Sequence, residues 1–403
     1  MKRGIERLLQ MGVLLLPLAC WPDLPHPFST PKTWLLGGLA LCALAAAVVR
    51  RTEMDHPSRA GEWMWLVWPA ALATSALTAS FAGFDALLLA ALPLPLAWAV
   101  QRGAIRTGAL RHALLWGATL ESAVVCLQYC GLDPLQWMGW RPESFAGSRM
   151  RVYGTMGNPD FAAAWLCATL PLFAGTRGVA RFGVALQLAA IFATGSRIFL
   201  LAMPIAALAM WLGSGRLLYS QVQRRFAGAW WIAGLAVAVA LVWLSPARTL
   251  GETVRGRWYL TRAATSHWRD VPVTGFGPGS FAVRFAGWQS DWLRGQPPGT
   301  GDARFAGPVD HAHNDYIEFW VEYGPVGLGA FVALSAWLAA SAWKRGPRGL
   351  PPADAGVWGG VACLAATACV DFPFHRPAEW GLYWILLAVL SCGRKGWIDE
   401  CQL

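Results

Sequence analysis

The sequence predicts an all-α polytopic membrane protein with about twelve transmembrane helices and one large helical loop on the outer face. Composition gives the first reason: of 403 residues, 56% are hydrophobic and only 14% charged, against about a quarter charged in a soluble domain. Apolar runs of roughly 15–25 residues give the second, because about 20 apolar residues cross the hydrocarbon core as helix. The placement of Lys and Arg gives the third.

The spans fall at 7–21, 33–49, 62–80, 84–100, 112–131, 159–175, 181–195, 197–213, 228–245, 315–342, 356–371 and 378–392. The first follows a basic start and resembles a signal peptide, but Pro17 and Leu18 fit a cleavage box poorly, so it reads as an uncleaved span. Basic clusters occupy alternate connections: Lys2/Arg3/Arg7, Arg50/Arg51/Arg59, Arg102/Arg106/Arg111, Arg177/Arg181, Arg216/Arg224/Arg225, Lys344/Arg345/Arg348 and Arg394/Lys395. All fall on one side if both termini are cytoplasmic, as the positive-inside tendency requires. The net charge of +10 is therefore mostly a topology signal and not a footprint for nucleic acid. The 25 tryptophans suit the two membrane–water interfaces. The nine cysteines form no CxxC and lie mostly inside spans, which gives neither a disulfide framework nor a zinc pattern.

Three regions follow: spans one to nine over 1–245 with a smaller outer loop at 132–158, a large outer loop at 246–314, and the remaining spans and tail over 315–403. The large loop opens with an amphipathic helix near 253–269, and its arginines outnumber its acids. Basic charge on the outer face asks for an anionic partner, with lipid headgroups or nearby acids as the plainer alternative. Arg197, after the "ATGS" corner, begins a span on that same face, although an arginine at a span end also snorkels harmlessly.

"HAHNDYIEFWVEYGPVGLG", from His311 to Gly329, lies where the loop meets the tenth span. Gly324-Pro325 breaks the helix, since the residue before proline is pushed out of the α region. On the short helix before that break, Asp315, Glu318 and Glu322 share one face. His313 stands at its start, where amide dipoles disfavour added positive charge, so a neutral imidazole there accepts a proton. The acids either hold its second nitrogen or pair with arginines. A rival reading is metal binding by His311, His313 and a carboxylate, but no third ligand has diagnostic spacing. "PVTGFGPGSF" (272–281) is glycine-rich without a βαβ pattern, and reads as a tight turn rather than a nucleotide loop.

These residues resemble the O-antigen ligase and O-antigen polymerase family of bacterial membrane glycosyltransferases. The family signature is His, then Asn, Ser or Gln, nine residues, Gly, two residues and Gly; His313-Asn314, Gly324 and Gly327 match it. "GTMGNPDFAAAWL", "GSRIFL", "RWYL…DVPVTGFGPGSF" and "DFPFHRPAEW" are similar to further family landmarks, which extends the resemblance over about 154–380. It implies a GT-C-like fold, no metal and no cofactor. It implies an inverting transferase that takes a glycan from undecaprenyl diphosphate at the periplasmic face of the inner membrane. By position, His313 corresponds to the family's essential histidine, Arg197 to the arginine opening its span, and Arg257 to the arginine early in the loop, with Arg255 and Arg262 as neighbours that could take its place. Asn314, Asp315, Glu318, Glu322 and Asn158 read as supporting residues, and Trp258 and Trp288 as sugar-stacking or belt residues.

Ligation to lipid A-core leads the functional readings. Polymerisation of a glycan and protein O-glycosylation share the donor chemistry and signature. A twelve-span transporter is the non-enzymatic alternative, but it predicts two related halves and mid-membrane charges, which this sequence lacks.

Overall fold

Backbone amides placed among apolar side chains must be satisfied within the chain, and here helices satisfy them. The computed structural model describes residues 2–50, 62–79, 83–140, 152–176, 178, 180–214, 247–297, 301–345 and 352–392. No strand occurs among them. The expected span at 228–245 lies outside the described residues, as do Arg51, Arg59, Arg177, Arg216, Arg224, Arg225, Arg348, Arg394 and Lys395.

Every other expected span overlaps helix with shifted ends, although 84–100 divides between two helices and 159–175 passes into a 3-10 turn. The first half holds α1 (Lys2–Leu15), α2 (Thr30–Val49), α3 (Met64–Thr78), α4 (Phe84–Ala91), α5 (Pro93–Gln101), α6 (Thr107–Tyr129) and the single turn α7 (Pro134–Trp137). Then come α8 (Pro159–Thr169), α9 (Ala180–Thr194) and α10 (Ile198–Ser214). The large loop contains α11 (Ala247–Thr265) and α12 (Phe281–Arg294), followed by α13 (Asp315–Arg345), α14 (Pro352–Thr367) and α15 (Pro377–Cys392). Among the described residues, three segments are long and apolar enough to cross a membrane: Thr30–Val49, Phe84–Gln101 across α4 and α5, and Asp315–Ser341. Met64–Thr78, Pro159–Phe173, Ala180–Thr194, Leu201–Gly213 and Pro377–Cys392 are shorter apolar helices. The helix at the first expected span ends at Leu15 instead of residue 21, because Pro17 and the turn around it cannot continue the helix. The fourteenth helix likewise stops at Thr367, which leaves Asp371 in the connection that follows.

α15 is apolar on all sides and every one of its residues is buried, the pattern of a helix at the centre of a bundle. It packs against α2, α5, α13 and α14. Phe331, Phe374, Trp380, Tyr383 and Trp384 interlock around it, with Phe374 and Tyr383 rings 4.6 Å apart. At one end of the bundle Glu6 pairs with Arg50 at 3.0 Å and with Arg106, which joins three of the basic segments that share a side in the positive-inside reading. Arg111 belongs to a different role: it is buried, and its guanidinium donates to the Leu172 and Ala174 carbonyls at 3.0 and 2.7 Å where α8 gives way to a 3-10 turn.

The loop region builds a small core of its own from Tyr259, Leu260 and Ala263 of α11 with Phe281, Phe285 and Trp288 of α12, closed by Ala312 and Val321. α11 covers 247–265 where the sequence indicates 253–269, and α12 follows the glycine-rich run unannounced by it.

α13 kinks at Gly324, whose φ of 65° and ψ of −177° lie outside the helical region in a zone essentially reserved for glycine. The glycine-rich turn docks on this kink: the Phe276 and Gly277 amides donate to the Val321 and Glu322 carbonyls at 2.9 Å. A Cβ at Gly324 would overlap the Val273 carbonyl oxygen, and one at Gly327 would overlap the Tyr323 Cβ. Gly324→Ala is therefore expected to lower stability by about 1–3 kcal/mol from conformation alone, before the overlap is counted. Thermal unfolding in detergent, with Gly329→Ala as control because nothing lies within 4 Å of a Cβ there, measures this difference.

Candidate active site

The site grows from the entry to α13. Asn314 is the N-cap of that helix: its Oδ1 accepts from the Tyr316 and Ile317 amides at 3.1 Å, as cap chemistry requires. Its Nδ2 donates to the Cys369 carbonyl at 3.0 Å, while the Asp315 amide donates to the Ala368 carbonyl at 2.9 Å. On the other side, the Ala312 amide donates to Glu318 Oε2 at 2.9 Å. Both flanks of His313 are thus pinned. His313 itself has φ 49°, the only positive φ of a non-glycine among the described residues. Such backbone persists where its surroundings over-determine it, and it gathers at functional sites.

The His313 imidazole is 37% exposed, and its Nδ1 lies 3.4 Å from Asp371 Oδ1. Its edge meets the Phe372 ring at 5.1 Å. Asp371 is 1% exposed, and its Oδ2 accepts from Arg376 Nη1 at 2.7 Å. Arg376 Nε sits 2.8 Å from Glu379 Oε1. Its guanidinium lies over the Phe161 and Phe372 rings, 4.0 and 5.3 Å from their centroids. Burial pushes the Asp371 carboxyl up, but the charge and hydrogen bond of Arg376, with His313 beside it, outweigh burial. They hold it well below the usual carboxylate range. Asp371 is therefore a fixed anion facing Nδ1, which leaves Nε2 as the nitrogen available to a substrate.

A second cluster lies behind the first. His375 Nδ1 sits 2.6 Å from Asp315 Oδ1, and its Nε2 is 3.4 Å from Glu318 Oε1 and 3.7 Å from Glu322 Oε2. His311 Nδ1 is 2.8 Å from the same Glu318 oxygen. Burial alone lowers the His375 pKa, but the surrounding Glu318, Asp315 and Glu322 raise it well above its ordinary value. The three carboxylates that share a helix face in the sequence thus converge on His375, not on arginines. Ligand-competent atoms of His311, Glu318 and His375 lie within 4.8 Å of one another; His313 is not in this group. The metal reading that paired His311 with His313 is corrected to that extent, because the left-handed turn at His313 sends the two rings to different partners.

The arginines divide. Arg197 is half-buried at the start of α10, in a corner formed by Gly195 (φ 63°) and the Ser196 Oγ contact to the Ile198 amide at 3.3 Å. Arg257 is half-buried and faces Asp160 at 3.7 Å. Asn158, through its Oδ1 contact to the Asp160 amide at 2.9 Å, caps α8 and holds that carboxylate in place. Phe161, the next residue, meets Phe372 edge-on at 5.4 Å, which links Arg257 to the His313 side of the bundle. Arg255 and Arg262 are exposed, and Arg262 lies 5.1 Å above the Trp258 ring. Trp258 is open to solvent, whereas Trp288 is buried and stacked on His267 at 5.4 Å. A sugar-stacking role for Trp288 is corrected to packing, since the loop core already covers its ring.

A cavity of about 240 Å³ borders this region, lined by His26, Lys32, Met156, Phe161, Arg376 and Glu379 among others. Asp371, Phe372, His375, Arg376 and Glu379 escaped individual assignment in the sequence. Their signal was there: four ionisable residues within ten positions, set between two apolar spans in "DFPFHRPAEW".

No curated protein matches this chain. The family model described as O-antigen ligase matches residues 182–332. That segment holds Arg197, Arg257, His313, Gly324 and Gly327, and so includes both the expected cations and the whole histidine signature. The resemblance read from the sequence and the matched segment agree: over residues 182–332 the chain is similar to the O-antigen ligase family.

Proposed function

We propose that the protein is a ligase-type inverting glycosyltransferase of about twelve spans with a GT-C-like arrangement. It moves a glycan from undecaprenyl diphosphate to an acceptor hydroxyl, with lipid A-core as the leading acceptor, at the periplasmic face of a bacterial inner membrane. The observation that carries this reading is His313 held at positive φ with Nδ1 directed at a buried, guanidinium-locked Asp371.

A sugar diphosphate is already activated, so the barrier lies in a weak hydroxyl nucleophile and in charge gathering on the departing diphosphate. His313 Nε2 takes the hydroxyl proton as the oxygen attacks the anomeric carbon from the face opposite the leaving group. The bond from that carbon to the diphosphate oxygen breaks, its electron pair leaves with undecaprenyl diphosphate, and the centre inverts. Asp371 faces Nδ1 across 3.4 Å and its fixed charge stabilises the imidazolium that forms, the part a buried carboxylate plays in other His–Asp pairs. Arg257 and Arg197 supply bidentate, permanently charged donors to the diphosphate. The Arg257–Asp160 contact is long and about a third exposed at each partner, hence weak, and yields to a stronger anion. The arginines, not a metal ion, neutralise the leaving group in this scheme.

Arg257→Ala is expected to lower turnover by about 10²–10³-fold, the loss seen when one donor to developing charge is removed. Arg255→Ala and Arg262→Ala, at exposed positions, are expected to stay within about twofold. Single-turnover rates with saturating donor measure both. The reading itself is tested by reconstitution with radiolabelled undecaprenyl-diphosphate glycan and a panel of lipid A-core, free glycan and protein acceptors. Label on lipid A-core supports the ligase, and label only on glycan or protein reassigns the acceptor. No transfer to any acceptor rejects the reading.

A further inference from the structure

We propose that His311, Glu318 and His375, with Glu322 as a fourth donor, form a binding site for one divalent transition-metal ion, zinc first among them, that clamps the loop after α14 to the start of α13. The site goes beyond the transfer reaction and stands on geometry whichever acceptor the protein uses.

The donor set is mixed nitrogen and oxygen, two imidazoles with one or two carboxylates, the chemistry that suits zinc and its first-row neighbours. The three principal ligand atoms lie within 4.8 Å of one another and come from three separate places: the loop before α13, its first turn and the connection after α14. Zinc bonds of about 2.0–2.1 Å in a tetrahedron put neighbouring donors roughly 3.3–3.4 Å apart. His375 Nε2 and Glu318 Oε1 are already 3.4 Å apart, the spacing of two donors on one ion. The His311–Glu318 pair, now 2.8 Å apart, has to open by a few tenths of an ångström.

Two polar atoms of this cluster are left without a hydrogen-bond partner. His375 Nε2 is buried without a hydrogen-bond partner, and so is Glu322 Oε2, on a side chain only 2% exposed. These two face one another at 3.7 Å. A buried carboxylate oxygen with nothing to accept from is costly unless a cation serves it.

The surroundings are those that orient metal ligands elsewhere. Asp315 Oδ1 engages His375 Nδ1 at 2.6 Å, which holds that nitrogen as a donor and aims Nε2 inward, where a bound ion would displace the proton that the surrounding acids favour. The Ala312 amide fixes Glu318 through its other oxygen, and Phe372 stacks on His311 at 4.1 Å. Because His311 precedes His313 by two residues and His375 follows Asp371 by four, an ion here would tie the two halves of the catalytic pair together without touching the reacting diphosphate.

The test uses the full chain in detergent, free of any histidine tag and stripped with chelator. It is then equilibrated with zinc chloride, cleared of unbound ion and assayed for zinc by elemental analysis. One zinc per chain is expected, together with a rise in thermal stability on adding zinc, since an ion that binds only the folded state stabilises it. His311→Gln and Glu318→Gln are expected to weaken binding at least about 100-fold, and Asp315→Asn, which acts through His375, about 10–100-fold. Cobalt in place of zinc is expected to give the visible absorption of a four-coordinate site. His311 is the safest of these positions for folding, because its side chain is about one-third exposed. Substoichiometric zinc in the wild type overturns the site, as does a His311→Gln protein that holds zinc as tightly as wild type. A protein that transfers glycan but binds no zinc rejects the ion alone, whereas one that binds zinc without transfer rejects the proposed function alone.

Discussion

His313→Ala is expected to lower glycan transfer by about 10²–10⁴-fold, the usual contribution of a positioned general base, while the lipid-linked donor still binds. Alanine at this position also meets a backbone cost, because φ is 49° there and an L-residue in the left-handed region pays roughly 1–2 kcal/mol. His313→Asn removes that ambiguity. Asparagine tolerates the left-handed region better than most residues, and its amide cannot take a proton. Equal loss in the two variants assigns the defect to chemistry, and equal donor retention in a filter-binding assay excludes a collapsed site. A transporter predicts the opposite pattern, with flux preserved in both. If His313→Asn transfers within about tenfold of wild type, the imidazole is not the base and the mechanism fails.

Arg376→Leu is expected to destabilise the protein by about 3–5 kcal/mol, because it strands two buried carboxylates, Asp371 and Glu379, that now share one guanidinium. The sign of the pH dependence follows from Asp371. Its pKa in the folded protein is depressed, so the stabilisation it contributes is present above the ordinary carboxylate value of about 3.9 and is lost as pH falls below that value towards the folded one. In Arg376→Leu that acid-dependent component should shrink or reverse, since burial without a cation raises the pKa. Adding Asp371→Asn to Arg376→Leu should recover part of the lost stability, because the stranded charge disappears. Denaturation in detergent at pH 7 and at about pH 3, below the ordinary carboxylate value, measures all three effects. A single variant no less stable than wild type would mean that the guanidinium is not the counter-charge.

Helices were legible because a long run of Leu, Ala, Val and Trp admits no other backbone solution in a membrane. The kink was legible too, since Gly324-Pro325 announces itself locally. The partners of the site were not. Asp315, Glu318 and Glu322 show their common face through spacing alone, but His375, which they surround, lies beyond the next helix. Asp371 gave no local hint that it would face His313, because that pairing depends on how α14 returns to the start of α13. Trp288 and Arg111 misled for a related reason. An aromatic ring in a loop and an arginine near a span end look exposed in sequence, and only tertiary packing reveals that each is enclosed.

The burial of α15 on every side bears on how the protein is made. That hub and the loop leading into it supply Asp371, His375 and Arg376, so the partners of the α13 entry come from near the end of the described residues. On the proposed function, transfer waits until residues up to about 392 have joined the bundle. A stop codon shortly before residue 371 would then yield a protein that is catalytically unbuilt instead of merely weak.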